Sequence, residues 1–191
     1  MALFTRETPI NHISRLDEEY IKRIRMNVLN AQKAGLSKLG VGAHVILDIA
    51  PQVHSGVTQL AKQIPGYRVE TLDISSEFEP TYVGDLCKFN DNIPDSSFDA
   101  VFCTEVLEHV NQPFEAIAEI YRFLKPGGLL VASSPFNFRI HGPLPDNWRF
   151  SEHGWRVLLN DFVDVEIIAD EDDQRFLMPI HYVVYGHKPV N

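Results

Sequence analysis

Short apolar runs alternate with segments that carry apolar residues at helical spacing along most of the chain. The first kind of segment is typical of buried β-strands, and the second is typical of α-helices that cover a sheet. Strands are predicted over residues 44–50, 67–74, 82–85, 98–103, 129–134, 163–169 and 180–187. Helices are predicted over residues 14–39, 55–64, 113–124 and 152–161. Strands that alternate with helices in this way predict an α/β fold.

The first strand ends near Asp48 and leads through a short loop into a helix, and the second strand ends near Asp73. Parallel strands joined by a helix have a right-handed crossover, which brings both acids to the same edge of the sheet. Ligands bind at this carboxyl edge in open α/β sheets, so we expect the functional site there. A backbone that wraps closely around a nucleotide normally contains glycines, but Gly56 is the only glycine of this loop.

The stretch 135–150 is too rich in proline, glycine and aromatic residues for a regular element, and we expect a long loop at the functional edge. Its side chains suit stacking on a ring and pairing with a carboxylate or phosphate. The predicted substrate-binding residues are Asn137, Arg139, Trp148 and Arg149. The alternative is that Trp148 and Phe150 pack beneath the last helix while Arg149 pairs with a nearby acid.

Size and charge narrow the range of functions. The 191 residues, 45% of them hydrophobic, suit one compact domain over residues 44–191, with an N-terminal helical segment, residues 1–43, packed on it. We expect the helix of that segment to lie across the sheet or the mouth of the site. A net charge of −9 disfavours nucleic-acid binding and favours a small substrate. No apolar run is long enough to span a membrane, so no membrane partner is expected.

The two cysteines, Cys87 and Cys103, have neither disulfide-framework nor zinc-ligand spacing. We therefore expect no bound metal and a reducing, cytoplasmic location. The N-terminus has no apolar signal core, which agrees with that location. The oligomeric state is not predicted.

Several motifs occur in a fixed order along the chain. Asp48, Asp73 and Gly84-Asp85 follow the first three strands, the block 98–110 reads FDAVFCTEVLEHV, and residues 124–128 read LKPGG. Together these motifs resemble a class I S-adenosylmethionine-dependent methyltransferase of the small-molecule, type 11-like group. The resemblance covers residues 44–188, which makes 44–191 a methyltransferase-like domain. The segment 146–151 also resembles a loop-to-helix stretch of a subgroup found among cell-surface sugar pathways.

The resemblance implies a Rossmann-like three-layer sandwich with a mostly parallel seven-stranded sheet and an antiparallel C-terminal strand. It also implies S-adenosylmethionine as cofactor, with the first loop around its methionine part, Asp73 on the ribose hydroxyls and Asp85 at the adenine amino group. The cofactor-binding residues predicted in this way are Asp48, Ala50, Gln52, Asp73, Ile74, Asp85, Leu86, Thr104 and Glu105. A carboxylate can accept both ribose hydroxyls, which supports Asp73 independently. The alternatives are that Asp73 caps a turn and that Gly84-Asp85 is an ordinary turn dipeptide.

The first loop departs from the family pattern. Members usually have glycine where this chain has Ala50 and Gln52, and often another near His54. A Cβ at such positions crowds a ligand and disfavours positive φ. Either Gln52 and His54 contact the methionine carboxylate directly, or the cofactor no longer binds.

Methyl transfer from a sulfonium is an in-line displacement, so the main task of the protein is to position the acceptor. If the acceptor is a hydroxyl, a histidine base assists, and His109 and His141 are the predicted catalytic residues, with His153 also near the expected pocket edge. The alternative for His109 is support of its loop. Glu105 and Glu108 do not form a glycosidase-like pair in this interpretation, and Glu108 caps or pairs locally.

The sequence therefore predicts methyl transfer to a small polar molecule, such as a sugar or another metabolite. A degenerate member of the same fold with a binding or scaffolding role is the alternative, because the first loop is poor in glycine. A nicotinamide-dependent oxidoreductase is disfavoured because the G-x-G-x-x-G fingerprint is absent.

Overall fold

A computed structural model describes residues 13–51, 56–173 and 175–190. Its strands are β1 (His44–Ile49), β2 (Tyr67–Asp73), β3 (Tyr82–Val83), β4 (Phe98–Thr104), β5 (Leu124–Pro135), β6 (Val163–Asp170) and β7 (His181–His187). Its α-helices are α1 (Arg15–Leu39), α2 (Gly56–Ala61), α3 (Pro113–Phe123) and α4 (Glu152–Leu158). The strands form one sheet in the order β3-β2-β1-β4-β5-β7-β6, in which β7 is antiparallel to both of its neighbours. The hydrophobic core on one face of the sheet includes residues of α1 and α2. The core on the opposite face includes residues of α3 and α4. The predicted fold class is confirmed.

The predicted boundaries differ from the structure by three or more residues at three places. Strand β5 begins at Leu124 rather than at residue 129, because the LKPGG segment pairs with β4 across an irregularity between Phe98 and Ala100. Helices α2 and α4 end at Ala61 and Leu158, before the predicted residues 64 and 161. Beyond both ends the backbone makes tighter i→i+3 bonds, which are common where a helix ends.

Helix α1 lies against the sheet and contacts β4, β5 and β7 as well as α2. It begins in a capping box, in which Asp17 N donates to Ser14 Oγ and Ser14 N donates to Asp17 Oδ2. Gly35 faces the strands so closely that an added Cβ would lie 2.6 Å from Val131 Cγ2. No helix in the described ranges is long and apolar enough to cross a membrane.

A buried carboxylate on α3 holds the loop that follows β3. Glu119 accepts hydrogen bonds from Asn90 N at 2.7 Å and from Arg122 Nε and Nη2 at 2.9 and 2.7 Å. Arg122 also donates to the carbonyls of Asn90 and Ile93, at 2.9 and 2.7 Å. This network secures the segment that carries Asp85.

We expect Glu119→Gln to lower the free energy of unfolding by about 2 kcal/mol at neutral pH, since it removes the buried carboxylate partner of Arg122 and leaves that guanidinium paired with the exposed Asp95 only. Burial opposes ionisation, but the bonds from Arg122 and Asn90 hold the pKa of Glu119 below its ordinary value. Its ionised form therefore stabilises the fold above the unfolded-state pKa of about 4.3, and this contribution is lost as the pH falls through the lower folded-state pKa.

Urea unfolding at several pH values measures this difference, with Glu115→Gln, an exposed position on the same helix, as the control. The wild type and Glu119→Gln are expected to converge in acid. Equal stability of the two proteins at pH 7 would contradict the role of the network.

Candidate functional site

A cavity of about 650 Å³ opens at the carboxyl edge of the sheet, between α1 and the loops that follow the strands. Its α1 wall includes Ile24, Val28 and Gln32. Six of the predicted site residues line the cavity, namely Asp48, Ala50, Thr104, Glu105, Arg139 and His141. The cavity therefore joins residues predicted for the cofactor with residues predicted for the acceptor.

Asp73 and Asp85 follow the neighbouring strands at the same edge, outside the walls of this cavity. Asp73 is buried, and its Oδ1 accepts a hydrogen bond from Ser75 N at 2.8 Å. Asp85 Oδ1 accepts from Cys87 N at 2.9 Å. Both carboxylates thus cap turns, which is the alternative role. The turn leaves Asp73 with a second oxygen, whereas Asp85 Oδ2 lies 3.4 Å from Lys88 Nζ. Ribose and adenine contacts by these residues stay predictions.

Two neighbours of these acids also fit an adenosine group. Ile74 exposes 73% of its surface beside Asp73, so an apolar face is available for a ring to lie on. Leu86 is buried beneath the turn that carries Asp85. The combination of carboxylates and an exposed apolar side chain suits the adenosine part of S-adenosylmethionine.

Ala50 has a φ of +49°, in the left-handed region that glycine adopts freely. Its backbone therefore follows a path suited to glycine, although the Cβ makes this conformation costly by about 1–2 kcal/mol. Gly56 also allows a close approach, because an added Cβ would lie 2.2 Å from Gln32 Oε1. Gln52 and His54 lie outside the described residues. Binding of the cofactor by this loop stays a prediction.

Gly84 lies directly before Asp85, and an added Cβ would lie 1.9 Å from Asn90 Oδ1. Asn90 cannot move freely, because its Nδ2 donates to Asp85 O and to Glu119 Oε1. We expect Gly84→Ala to lower the free energy of unfolding by about 1–3 kcal/mol and to weaken binding of S-adenosylmethionine. Calorimetry and urea unfolding measure the two effects.

Gly154→Ala is the matched control for this variant, because an added Cβ there would meet its nearest atoms at an ordinary 3.7 Å. If Gly84→Ala and Gly154→Ala bind the cofactor equally well, the turn at Asp85 does not contribute to the adenine site.

Glu105 projects from the end of β4 with a φ of +57°. Its Oε1 lies 2.7 Å from both Ser133 Oγ and His181 Nε2. Burial opposes ionisation, but the contacts with His181 and Ser133 hold the pKa of Glu105 below its ordinary value. The sequence did not predict these two partners, because they lie on other strands and carry no local motif. Their contacts fix an ionised carboxylate on the cavity wall.

The loop 135–150 folds back onto the segment after β4. Asn147 N and Trp148 N donate to Glu108 O at 2.7 and 3.1 Å, and Trp148 Nε1 donates to Val110 O at 2.9 Å. Trp148 stacks on Phe150, which in turn contacts Trp155 of α4. These contacts correspond to the packing alternative, and binding of the substrate by Trp148 stays a prediction.

The other predicted substrate residues differ in their positions. Arg149 forms an ion pair with the buried Asp146, as the alternative had it, and does not line the cavity. Asn137 N donates to Pro179 O at 3.1 Å, and its side chain is absent from the cavity wall. Arg139 does line the cavity, and its Nη1 lies 3.9 Å from Asp17 Oδ2. Of the four, Arg139 has the position that best suits substrate binding.

The two predicted catalytic histidines lie together, with ring centroids 4.9 Å apart. His141 Nδ1 lies 3.1 Å from Asp146 Oδ2, and His109 Nδ1 lies 2.9 Å from Pro145 O. Glu108 is fully buried between them, with Oε1 3.7 Å from each Nε2. Burial, together with the nearby Glu105 carboxylate, raises the pKa of Glu108 to about 7. We expected Glu108 to cap or pair locally, and it lies beside its neighbour His109 and also beside the distant His141.

A family model described as a methyltransferase domain matches residues 35–132. This range includes the first loop, the acids after β2 and β3, and the segment after β4. No protein with a curated description matches the sequence significantly.

Solved structures with this fold include a S-adenosylmethionine-dependent methyltransferase from Archaeoglobus fulgidus, with a TM-score of 0.68 and 16% identity over 91% of this chain and 98% of that chain. A second structure is phosphoethanolamine N-methyltransferase 2 of Haemonchus contortus in complex with S-adenosylmethionine. It has a TM-score of 0.64 and 19% identity, over 84% of this chain and 52% of that chain. This chain thus spans about half of the Haemonchus enzyme. The structure of the cyclase SpnF has a TM-score of 0.66 and is 15% identical in sequence. The match covers 85% of this chain and 81% of SpnF. At these identities the similarity shows the shared fold.

Proposed function

Because the chain belongs to the family of methyltransferase domains, we propose that it transfers a methyl group from S-adenosylmethionine to a small polar molecule, such as a sugar or another metabolite. S-adenosylmethionine, predicted from the sequence, is the cofactor of this class. The observation that carries the proposal is the cavity that brings Asp48 and Ala50 together with Arg139 and His141. A donor and an acceptor bound in one cavity can meet in line.

The cofactor, when bound, supplies a methyl group already activated on a sulfonium. In our proposal Asp73 accepts hydrogen bonds from the ribose hydroxyls and Asp85 accepts one from the adenine amino group. Thr104 and Glu105 line the methionine end at β4. The remaining task of the chain is to hold the acceptor in line and to keep water out, a task that α1 serves by closing one side of the cavity.

The cavity itself supports a small acceptor. Its volume lies within the range of small-molecule sites, roughly 300–1,000 Å³. Ile24 and Val28 offer an apolar surface, while Arg25 and Arg139 offer cations for an acidic or phosphorylated group. The net charge of −9 disfavours nucleic acid as the acceptor. Cys87 and Cys103 are free, which agrees with the reducing cytoplasm that we propose as its location.

The test measures cofactor binding and methyl incorporation separately. Calorimetry with S-adenosylmethionine reports binding, and mass spectrometry of a panel of sugars, sugar phosphates and small acids incubated with methyl-labelled cofactor reports transfer. We expect binding together with a mass gain of one methyl group on at least one acceptor class. Binding without incorporation would favour the non-catalytic alternative, and absence of binding would overturn the proposal.

A further inference from the structure

Glu108 is a buried carboxylate whose burial is not compensated by hydrogen bonds. Its side chain is fully buried, yet neither carboxylate oxygen accepts a hydrogen bond from any residue in the described part of the chain. A buried carboxylate without partners is costly. Nε2 of His109 and Nε2 of His141 each lie 3.7 Å from Oε1, which is too long for a hydrogen bond.

Both imidazoles are oriented by hydrogen bonds on their other nitrogen. His141 Nδ1 faces the Asp146 carboxylate at 3.1 Å, and His109 Nδ1 faces the Pro145 carbonyl at 2.9 Å. These acceptors place the proton of each neutral ring on Nδ1, so that Nε2 presents a lone pair toward Glu108. Histidines that bind metals are held in this way, by a carboxylate or a backbone carbonyl on the second nitrogen.

We propose that Glu108, His109 and His141 bind one divalent transition-metal ion, with Zn²⁺ as the reference ion. One ligand atom from each of the three residues lies within 4.8 Å of the others. A tetrahedral zinc ion with bonds of about 2.1 Å separates its ligand atoms by about 3.4 Å, so the 3.7 Å contacts need only a small contraction. The cation would also neutralise the buried carboxylate.

The proposed site differs from the expectation of no metal, which rested on the cysteine spacing. Its ligands come from the segment after β4 and from the loop 135–150, and no sequence motif links the two. Three protein ligands leave a position open, as in catalytic zinc sites. His141 lies on the cavity wall, so the open position can take an oxygen of the acceptor, a role that rests on the proposed function. As metal ligands, His109 and His141 would orient the acceptor and would not act as bases.

Metal binding is tested on the full chain after dialysis against a chelator, by titration with Zn²⁺ in a calorimeter and with Co²⁺ in a visible spectrometer. We expect one ion per chain and ligand-field bands of Co²⁺ in a site of low coordination number. Glu108→Gln is expected to lower the Zn²⁺ affinity by at least about 100-fold, and Asp146→Asn, which removes the support of His141, by about 10–100-fold. His153→Ala, on the exposed surface of α4, is the matched control and leaves the affinity unchanged.

Thermal melting of each metal-free variant shows whether it folds. If Glu108→Gln does not fold, the affinity of Asp146→Asn for Zn²⁺ decides the test. Absence of saturable binding by either ion, or equal affinities of Glu108→Gln and His153→Ala, would overturn the proposal. The methyl-transfer assay is repeated with metal-free and metal-loaded protein. If the protein binds metal but incorporates no methyl group, the metal site is supported and the proposed function is overturned. If the protein incorporates a methyl group but binds no metal, the proposed function is supported and the metal site is overturned.

Discussion

We expect Asp73→Asn to raise the Kd for S-adenosylmethionine by roughly 30- to 150-fold. An ionised carboxylate can accept both ribose hydroxyls, whereas an amide offers a single acceptor oxygen. Loss of a hydrogen bond to a charged group costs about 2–3 kcal/mol, which corresponds to this change in Kd. Isothermal titration calorimetry of the purified variant measures it directly.

Asparagine is the appropriate replacement because its oxygen can still accept the hydrogen bond that Ser75 N donates to Asp73 Oδ1. The turn after β2 is therefore expected to survive, with a melting temperature close to that of the wild type. Glu77→Gln removes a carboxylate from the exposed turn nearby and serves as the control for net charge. A Kd within threefold of the wild type would leave Asp73 with turn capping as its only role.

The second large effect concerns the packing of α1 on the sheet. We expect Gly35→Val to lower the free energy of unfolding by about 3 kcal/mol and to lower the rate of methyl transfer. A Cβ at this position would lie 2.6 Å from Val131 Cγ2 and 2.9 Å from Phe102 Cε1, both on buried strands. The helix would have to move away from the sheet, and it carries one wall of the cavity.

Urea unfolding and the methyl-incorporation assay measure these two effects. Ser37→Val places the same β-branched side chain at an exposed position of α1 and controls for helix propensity. If the two variants have the same stability, Gly35 is not needed for the close approach of helix and sheet. If only stability falls and transfer is unchanged, α1 does not shape the acceptor site.

Local patterns of the chain account for the elements and for the position of the site. The apolar strand over 98–103 has the composition of a strand buried on both faces, and β4 is indeed buried in the centre of the sheet. The acids at 48 and 73 follow neighbouring parallel strands, so the right-handed crossover was sufficient to bring them to one edge. The start of strand β5 was less well predicted, since proline and glycine at 126–128 are as compatible with an irregular strand as with a loop.

The loop 135–150 marks the limit of such reasoning. Its composition predicted a long loop at the functional edge, and it contributes Arg139 and His141 to the cavity wall. The sequence did not predict which of its side chains line the cavity. Trp148 donates a hydrogen bond to Val110 of another segment, and Arg149 pairs with Asp146 within the folded loop.

The sequence by itself determined the fold class, the edge of the sheet at which the cavity lies and the family of the chain, because the order of elements along the chain, crossover handedness and the motifs at strand ends all follow from local patterns. Only the tertiary structure decided which side chains meet. Glu108 is adjacent to His109 in the sequence, but its contact with His141 depends on a loop that begins beyond the next strand. Likewise, the pairing of Glu105 with His181 spans 76 positions. Contacts of this kind depend on the packing of distant segments in three dimensions, which no local pattern of residues specifies.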